Sequence, residues 1–336
     1  MTRTAVIGAA GFAGAIAARL LHRHPHFELV AVTARGEDVG RPLAELYPHH
    51  RVPLPLTGLD ELPDVDAAVV AYPHGAAAPV VAALRALGTR VVDLSADFRL
   101  RDRETYTAWY GEHGAPELFG AGVYGLPELH REAIREADLV ANPGCFPTAA
   151  LIALAPLRGR IVDVVIDAKT GVSGAGRAPT RTTHFSSVDE NVSAYATAGH
   201  RHAPEIEQEL GTWATFVPHL VPLDQGELVS CYVRLSDEPG DLGALYAEAY
   251  ADEPFVELAP TPPGVRDVRE TNVCRLHVTC EERTGRVMVF AAIDNMWKGA
   301  ASQAVQNLNL MFGRPEEEGL GVSATRAIAT PAGARP

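Results

Sequence analysis

No run of about 18 apolar residues occurs in this 336-residue chain, so nothing in it reads as a membrane span. Basic residues are outnumbered, with 29 Lys and Arg against 42 Asp and Glu. The formal charge of −13 argues against a nucleic-acid surface but leaves room for a local basic patch that receives an anionic substrate. Lysine is nearly absent: Lys169 and Lys298 are the only two, and both fall inside motifs described below. The four cysteines lack the spacing of a disulfide framework, and neither Cys-x-x-Cys nor His-Glu-x-x-His is present, so no metal is expected. Internal repeats are missing. The chain enters a strand almost at once, at Ala5-Val6-Ile7-Gly8, without the basic and apolar regions of a secretory signal, and a cytoplasmic protein is expected.

What is present suits two domains, since 336 residues exceed one ordinary core. Thr4 to Gly8, an Ala-rich helix from Phe12 to His22, and Leu29 to Thr33 read as a β-α-β unit. Ala67 to Ala71, Ala76 to Leu87 and Arg90 to Leu94 continue the alternation and predict a parallel sheet covered on both faces. Beyond residue 145 the pattern changes. Ile161 to Ala168, Trp213 to Val221, Leu228 to Leu235, Asn272 to Thr279 and Arg286 to Ile293 are strand-like runs, interrupted by a helix at Asp241 to Ala251. They predict an α+β domain on a mixed or antiparallel sheet. Gly299 to Phe312 predicts a final amphipathic helix, and the Ala, Thr, Gly and Pro tail from Ser323 cannot bury enough surface to order itself.

Asn142-Pro143-Gly144-Cys145-Phe146-Pro147-Thr148 is the most informative segment. An apolar strand, Ala137 to Ala141, ends in Pro-Gly turn chemistry, and Pro147 suits a first helical turn. Cys145 then sits at or just before a helix N-cap, where unpaired N–H groups and the dipole favour the thiolate, so a lowered pKa is expected. Cys231, Cys274 and Cys280 lie in or beside apolar strand-like runs and read as core residues.

Gly8-Ala9-Ala10-Gly11-Phe12-Ala13-Gly14 follows the first strand and opens a helix, as a dinucleotide-binding turn requires, although its spacing departs from G-x-G-x-x-G. Gly8 would permit the tight turn, Gly11 would let the backbone approach a pyrophosphate, and Gly14 would allow close helix packing; Ala10 and Phe12 complete the loop. At the end of the second strand, Thr33-Ala34-Arg35 replaces the acid that would bind a ribose hydroxyl, which favours NADP(H), with Glu37 and Asp38 close by. Gly199-His200-Arg201-His202-Ala203-Pro204-Glu205 gathers imidazoles, a cation and a carboxylate beside a predicted helix start, from which Glu205 could orient an imidazole. Lys169-Thr170-Gly171-Val172-Ser173-Gly174-Ala175-Gly176-Arg177 offers N–H groups and two cations to an anion. Asp93-Leu94-Ser95-Ala96-Asp97-Phe98-Arg99 closes a strand at the carboxyl end of the sheet, where ligands of open α/β folds bind.

Together these segments resemble the N-acetyl-gamma-glutamyl-phosphate reductase family, relatives of aspartate-semialdehyde dehydrogenase, over nearly all of the chain from Thr4 to Gly321. The motifs in order are the glycine turn, DLSADFR at 93 to 99, VYGLPEL at 123 to 129, NPGCFPT at 142 to 148, KTGVSGAGR at 169 to 177, GHRHAPEIEQ at 199 to 208 and DNMWKGAASQAVQNLNLMFG at 294 to 313. Met296-Trp297 stands where the family usually has two smaller apolar residues, and Ser302 where glycine is common. The resemblance implies a Rossmann-type nucleotide domain, residues 1–144 and 297–336, with the last helix returning to it. Residues 145–296 would be an inserted catalytic and oligomerisation domain. It also implies that Cys145 is the nucleophile, His200 the general acid/base and Glu205 its supporting carboxylate. Ser173, Gly174 and Asn295 are expected at the cofactor with the glycine turn and Arg35, and Ser95, Arg99, Arg177 and His202 at the substrate or its phosphate.

The implied reaction is NADPH-dependent reduction of a small acyl phosphate to an aldehyde through a cysteine thioester, in arginine biosynthesis, by a homodimer or homotetramer. Three alternatives are the same chemistry on a carrier-bound aminoadipyl phosphate, a nucleotide-binding redox sensor, and an NAD-dependent glyceraldehyde-phosphate-type dehydrogenase.

Overall fold

The computed structural model describes residues 1–321, and the tail from Ser323 lies outside them. The first half alternates strand and helix. β1 (Thr2–Ile7), α1 (Phe12–His22) and β2 (Phe27–Thr33) lead into α2 (Leu43–Leu46), β3 (Leu56–Thr57), β4 (Ala67–Val70), α3 (Ala78–Ala86) and β5 (Arg90–Asp93). α4 (Arg103–Tyr110), β6 (Val123–Tyr124), α5 (Pro127–Arg135) and β7 (Leu139–Ala141) complete it. Every strand pair is parallel, in the order β3-β2-β1-β4-β5-β7-β6. Ala67 to Val70 are buried without exception, as a strand covered on both faces requires. The strand order reverses between β1 and β4, so a crevice opens beyond their carboxyl ends.

The second half is built on a mixed sheet. It runs through α6 (Cys145–Leu154), β8 (Ile161–Thr170), α7 (Phe185–Val188), β9 (Ser193–Ala194), α8 (Ala203–Leu210), β10 (Thr215–Leu220) and β11 (Glu227–Leu235). α9 (Leu242–Ala249), β12 (Val256–Leu258), β13 (Cys274–Glu281) and β14 (Arg286–Ile293) follow. The order is β12-β13-β14-β11-β8-β10-β9, with β8 parallel to β10 and β12 parallel to β13. α6 is buried from Phe146 to Leu154 and shares an apolar core with Val164, Ile166, Val229, Cys231, Val233 and Val289. A helix this apolar belongs inside, which is why α6, opened by Cys145, is also the central packing element of the second half. On the opposite face of the sheet, Val165, Tyr232 and Met288 stand in one cross-strand row and are only half-buried.

α10 (Ser302–Met311) departs from its expected amphipathicity, because all ten residues are buried. Its apolar residues join the core of β1 and α1. Its amide nitrogens are paired internally: Gln303 and Asn307 donate to the Gly125 carbonyl, and Asn309 donates to the carbonyls of Glu316 and Glu318, while the side-chain oxygens of these three have no hydrogen-bond partner among the described residues. Pairing the nitrogens lowers the cost of burying these amides. Ahead of it a wide turn, Trp297–Ala301, accommodates the large Trp297, whose ring lies under the Arg19 guanidinium at 5.5 Å. Ser302 donates its hydroxyl to the Asn272 side chain at 2.7 Å.

Candidate active site

One cavity of about 920 Å³ joins the first sheet's crevice to the start of α6. Gly8, Ala10, Gly11, Phe12 and Gly14 line one end, and Cys145 and His202 line the other. Gly8 has φ +87°, and a side chain there would meet the Ala71 carbonyl at 2.8 Å. A Cβ on Gly14 would lie 2.4 Å from the Gly8 carbonyl oxygen, so the strand-to-helix turn closes only with glycine at both positions. Gly11 is the N-cap of α1 and directs that helix start at the cavity.

Arg35 lies on the wall with its guanidinium 3.8 Å from the centre of the Tyr72 ring, a stacked arrangement that leaves its edge for an anion. Asp38, an acid on the same cavity wall, is committed elsewhere. Arg177 donates to both its carboxylate oxygens, at 2.7 and 3.2 Å, and Arg41 adds a third bond at 3.4 Å. This pairing holds the Asp38 carboxyl below its usual range. Arg177 also donates to the Ala10 carbonyl at 3.1 Å. It therefore belongs to the nucleotide end of the cavity, in contrast to its expected place on the substrate phosphate. Ser173, Gly174 and Asn295 line the same cavity. Asn295 ties them to the sheet, accepting from the Gly226 N–H at 2.8 Å and donating to the Ser173 hydroxyl at 3.1 Å.

At the other end, Gly144 is the N-cap and Cys145 the first residue of α6. Gly299 packs on Cys145, since a Cβ there would come within 2.7 Å of the Cys145 Cβ. The expected drop in the thiol's pKa is not found. Burial is the largest cause of a rise well above the usual thiol range, and the adjacent Glu227 carboxyl adds to it. The Phe146 N–H at the helix start and the Arg99 charge act in the opposite direction and are outweighed.

His202 forms the cavity wall, and only a glycine at 144 leaves room for its ring, whose Nε2 would be 2.5 Å from a Cβ there. His200 packs behind it against Phe146, Tyr195 and Phe216. The His202 backbone N–H donates to His200 Nδ1 at 3.1 Å, and burial followed by the Arg201 charge lowers the His200 pKa to about 4. Burial, followed by the neighbours His200 and Arg99, likewise pushes the His202 pKa well below the usual imidazole range.

Glu205 was expected to orient an imidazole and does something else. In the first turn of α8 it accepts from the Gly144 N–H at 2.9 Å, the Tyr124 hydroxyl at 2.7 Å and Arg99 at 3.2 Å. A buried carboxylate needs a cation, and Arg99 supplies it. Arg99 itself lines the cavity, anchored to the carbonyls of Asn142 and Leu94 at 2.7 Å each. Ser95, expected at the phosphate, is turned inward: its hydroxyl donates to Asp93 at 2.5 Å and accepts from the Asp97 N–H. Backbone and acid neighbours have claimed its only polar group.

Glu227, Tyr195 and Tyr72 were missed from sequence. For Glu227 a signal existed: it shares strand parity with Val229, Cys231 and Val233, which marks a carboxyl on the buried face.

Residues 3–137 match the family described as semialdehyde dehydrogenase, NAD binding domain, and residues 145–295 match semialdehyde dehydrogenase, dimerisation domain. The N-acetyl-gamma-glutamyl-phosphate reductase of Pelotomaculum thermopropionicum is 47% identical, over 95% of this chain and 97% of its own. That of Moorella thermoacetica is 46% identical, over 96% and 99%. Among solved structures, aspartate semialdehyde dehydrogenase II of Vibrio cholerae complexed with ASA superimposes with a TM-score of 0.73 at 19% identity, covering 93% of this chain and 98% of that one. Aspartate semialdehyde dehydrogenase with NADP from Candida albicans gives 0.70 at 14%, covering the same shares. These two establish the shared fold.

Proposed function

Because this chain belongs to the N-acetyl-gamma-glutamyl-phosphate reductase family, we propose that it reduces N-acetyl-gamma-glutamyl phosphate to the semialdehyde, releasing phosphate, with NADPH as reductant. The observation that carries the reading is the single cavity that takes in both the glycine turn and Cys145. The names of the relatives favour the glutamyl substrate over the aminoadipyl one.

The residues present fit a dinucleotide. Gly8, Gly11 and Gly14 form a cradle that side chains would fill, and Arg35, with Asp38 withdrawn by Arg177, suits a 2′-phosphate better than a bare ribose hydroxyl. Ser173, Gly174 and Asn295 would hold its nicotinamide end. The chemistry a bound NADPH supplies is donation of hydride to the acyl carbon.

Cys145 attacks that carbon, and the bond to phosphate breaks as the bond to sulfur forms, giving a thioester. Arg99, fixed beside the thiol by Asn142 and Leu94, offsets charge on the departing phosphate. His202 takes the acid/base role in place of His200, supported by its position on the wall; it gives a proton to the oxyanion created when hydride reaches the thioester carbon and takes it back as the carbonyl forms and carbon and sulfur separate. His200 accepts the backbone N–H of His202 and acts as a positioning residue for that segment.

The proposal extends to architecture. Among the described residues, 1–144 with 297–321 form the nucleotide domain, supported by α10 sharing the core of β1 and α1, and 145–296 form the substrate domain. The half-buried row Val165, Tyr232 and Met288 supports a homo-oligomer formed through that sheet face. Among the described residues no helix is long and apolar enough to cross a membrane, and a cytoplasmic location is part of the same reading. The test is NADPH oxidation assayed in parallel with the N-acetylglutamyl and aminoadipyl phosphates. Turnover with the first supports the reading, and turnover confined to the second overturns it.

A further inference from the structure

Arg99, the cation on the cavity wall beside Cys145, stands on the loop between β5 and α4, outside every strand and helix. Its own N–H reaches only the Ala96 carbonyl, at a long 3.4 Å. The stretch is fixed instead by one side chain from the other half of the chain. Gln208 of α8 donates from Nε2 to the Arg99 carbonyl at 3.0 Å and accepts at Oε1 from the Arg101 N–H at 2.7 Å. A single amide thus serves this loop as a neighbouring strand would, pairing a carbonyl and the N–H two residues further on. Its orientation is set, because the nitrogen also donates to Glu209 at 2.9 Å. Glu209 is in turn buried and held by Arg101 at 2.9 Å and by His130 at 2.8 Å. One turn earlier on α8, Glu205 takes the Arg99 guanidinium, and His202 stands at the N-cap of the same helix.

We propose that Gln208 is a positioning residue for the phosphate. It holds the backbone on both sides of residue 100, and so sets where the Arg99 guanidinium meets the departing phosphate, in register with His202. The inference rests on the thioester route and on the reading of Arg99 given above. Glu205 and the carbonyls of Asn142 and Leu94 orient the guanidinium, whereas Gln208 fixes the backbone from which it reaches. Both are needed, since a displacement of about 1 Å at a reacting centre can cost on the order of 10²-fold in rate. Gln208 is not itself on the cavity wall, so any effect of replacing it on phosphate passes through Arg99.

The test runs the reaction in reverse, with N-acetylglutamate semialdehyde, NADP and inorganic phosphate. Hydride passes from the aldehyde carbon to NADP, and phosphate then displaces the Cys145 sulfur to give the acyl phosphate, so the phosphate KM reports Arg99 separately from the semialdehyde KM. Gln208→Met keeps a similar length and loses both hydrogen bonds. Its phosphate KM should rise about 10-fold, with the semialdehyde KM and the calorimetric Kd for NADPH within about two-fold of the wild type. A merely structural residue would lower the thermal midpoint and leave the phosphate KM in place. That result, or a rise shared equally by both KM values, would overturn the inference. Gln208→Ala, which lets water pair the two backbone groups without fixing them, gives the same readout should the Met variant fail to fold. Failure of the underlying reading is separate: a wild type that forms no NADPH from these reactants strikes that reading and the inference with it, whereas an unchanged phosphate KM in an active variant strikes the inference alone.

Discussion

Glu205 accepts a hydrogen bond from the backbone N–H of Gly144 at 2.9 Å, and so grips the residue immediately before Cys145 from a helix about sixty residues further on. The same carboxylate holds Arg99 and the Tyr124 hydroxyl. One side chain therefore fixes the N-cap of α6, the cavity's cation and strand β6 together.

Glu205→Ala leaves Arg99 buried without its partner, so it should destabilise the protein by about 3 kcal/mol, read as a lower urea midpoint. Turnover should fall as well, because Gly144 and Arg99 lose their anchor. Glu205→Gln, which keeps the shape but not the charge, should recover part of the stability and little of the rate. Unchanged stability in Glu205→Ala would mean that Arg99 finds another partner.

His202→Asn should lose about 10²- to 10⁴-fold in kcat, with KM much less affected, and the imidazole limb of its pH profile should vanish. His200→Asn should lose less and keep that limb. The reverse ordering would return the acid/base role to His200.

Arg35→Asp should weaken NADPH binding by about 10-fold or more, measured by calorimetry without substrate, and narrow the gap to NADH. A wild-type enzyme that binds NADH more tightly would contradict the reading of Arg35 and Asp38.

Glu227 also makes stability depend on pH. Its carboxyl releases a proton near 4.5 when unfolded and near 8 when folded, the rise being caused chiefly by burial. Between those values the native state holds a proton that the unfolded state has lost, so stability falls as pH rises through the window. Glu227→Gln removes the effect, and its advantage over the wild type should grow between pH 5 and pH 8, by on the order of 3 kcal/mol in denaturant titrations. An advantage that is flat with pH would show that the carboxyl is solvated.

Much of this was legible in the sequence. The span Phe12 to His22 was read as a helix with the bounds it has, because the glycine turn starts it and its apolar residues are continuous. Cys145 was found from the Pro-Gly turn before it. α4 and α5 were not foreseen, since Arg103–Tyr110 is rich in polar and aromatic residues and α5 breaks its helical geometry at His130. Roles that depend on partners distant in sequence were the least readable. Spacing alone could not say that Arg177 would meet Asp38, or that Glu205 would turn to Gly144 and Arg99 rather than to an imidazole. The thiol's pKa failed for a related reason, because the expectation counted the helix start but neither the burial nor Glu227.

The proposed reaction passes through the Cys145 sulfur, and the most direct measurement is NADPH oxidation with N-acetylglutamyl phosphate by the wild type and by Cys145→Ser, with nucleotide affinity measured alongside. The wild type should turn over, and the serine variant should bind NADPH within a few-fold of it while showing no measurable turnover, because a hydroxyl cannot replace the thiolate. Turnover of more than a few per cent in Cys145→Ser would contradict the thioester route.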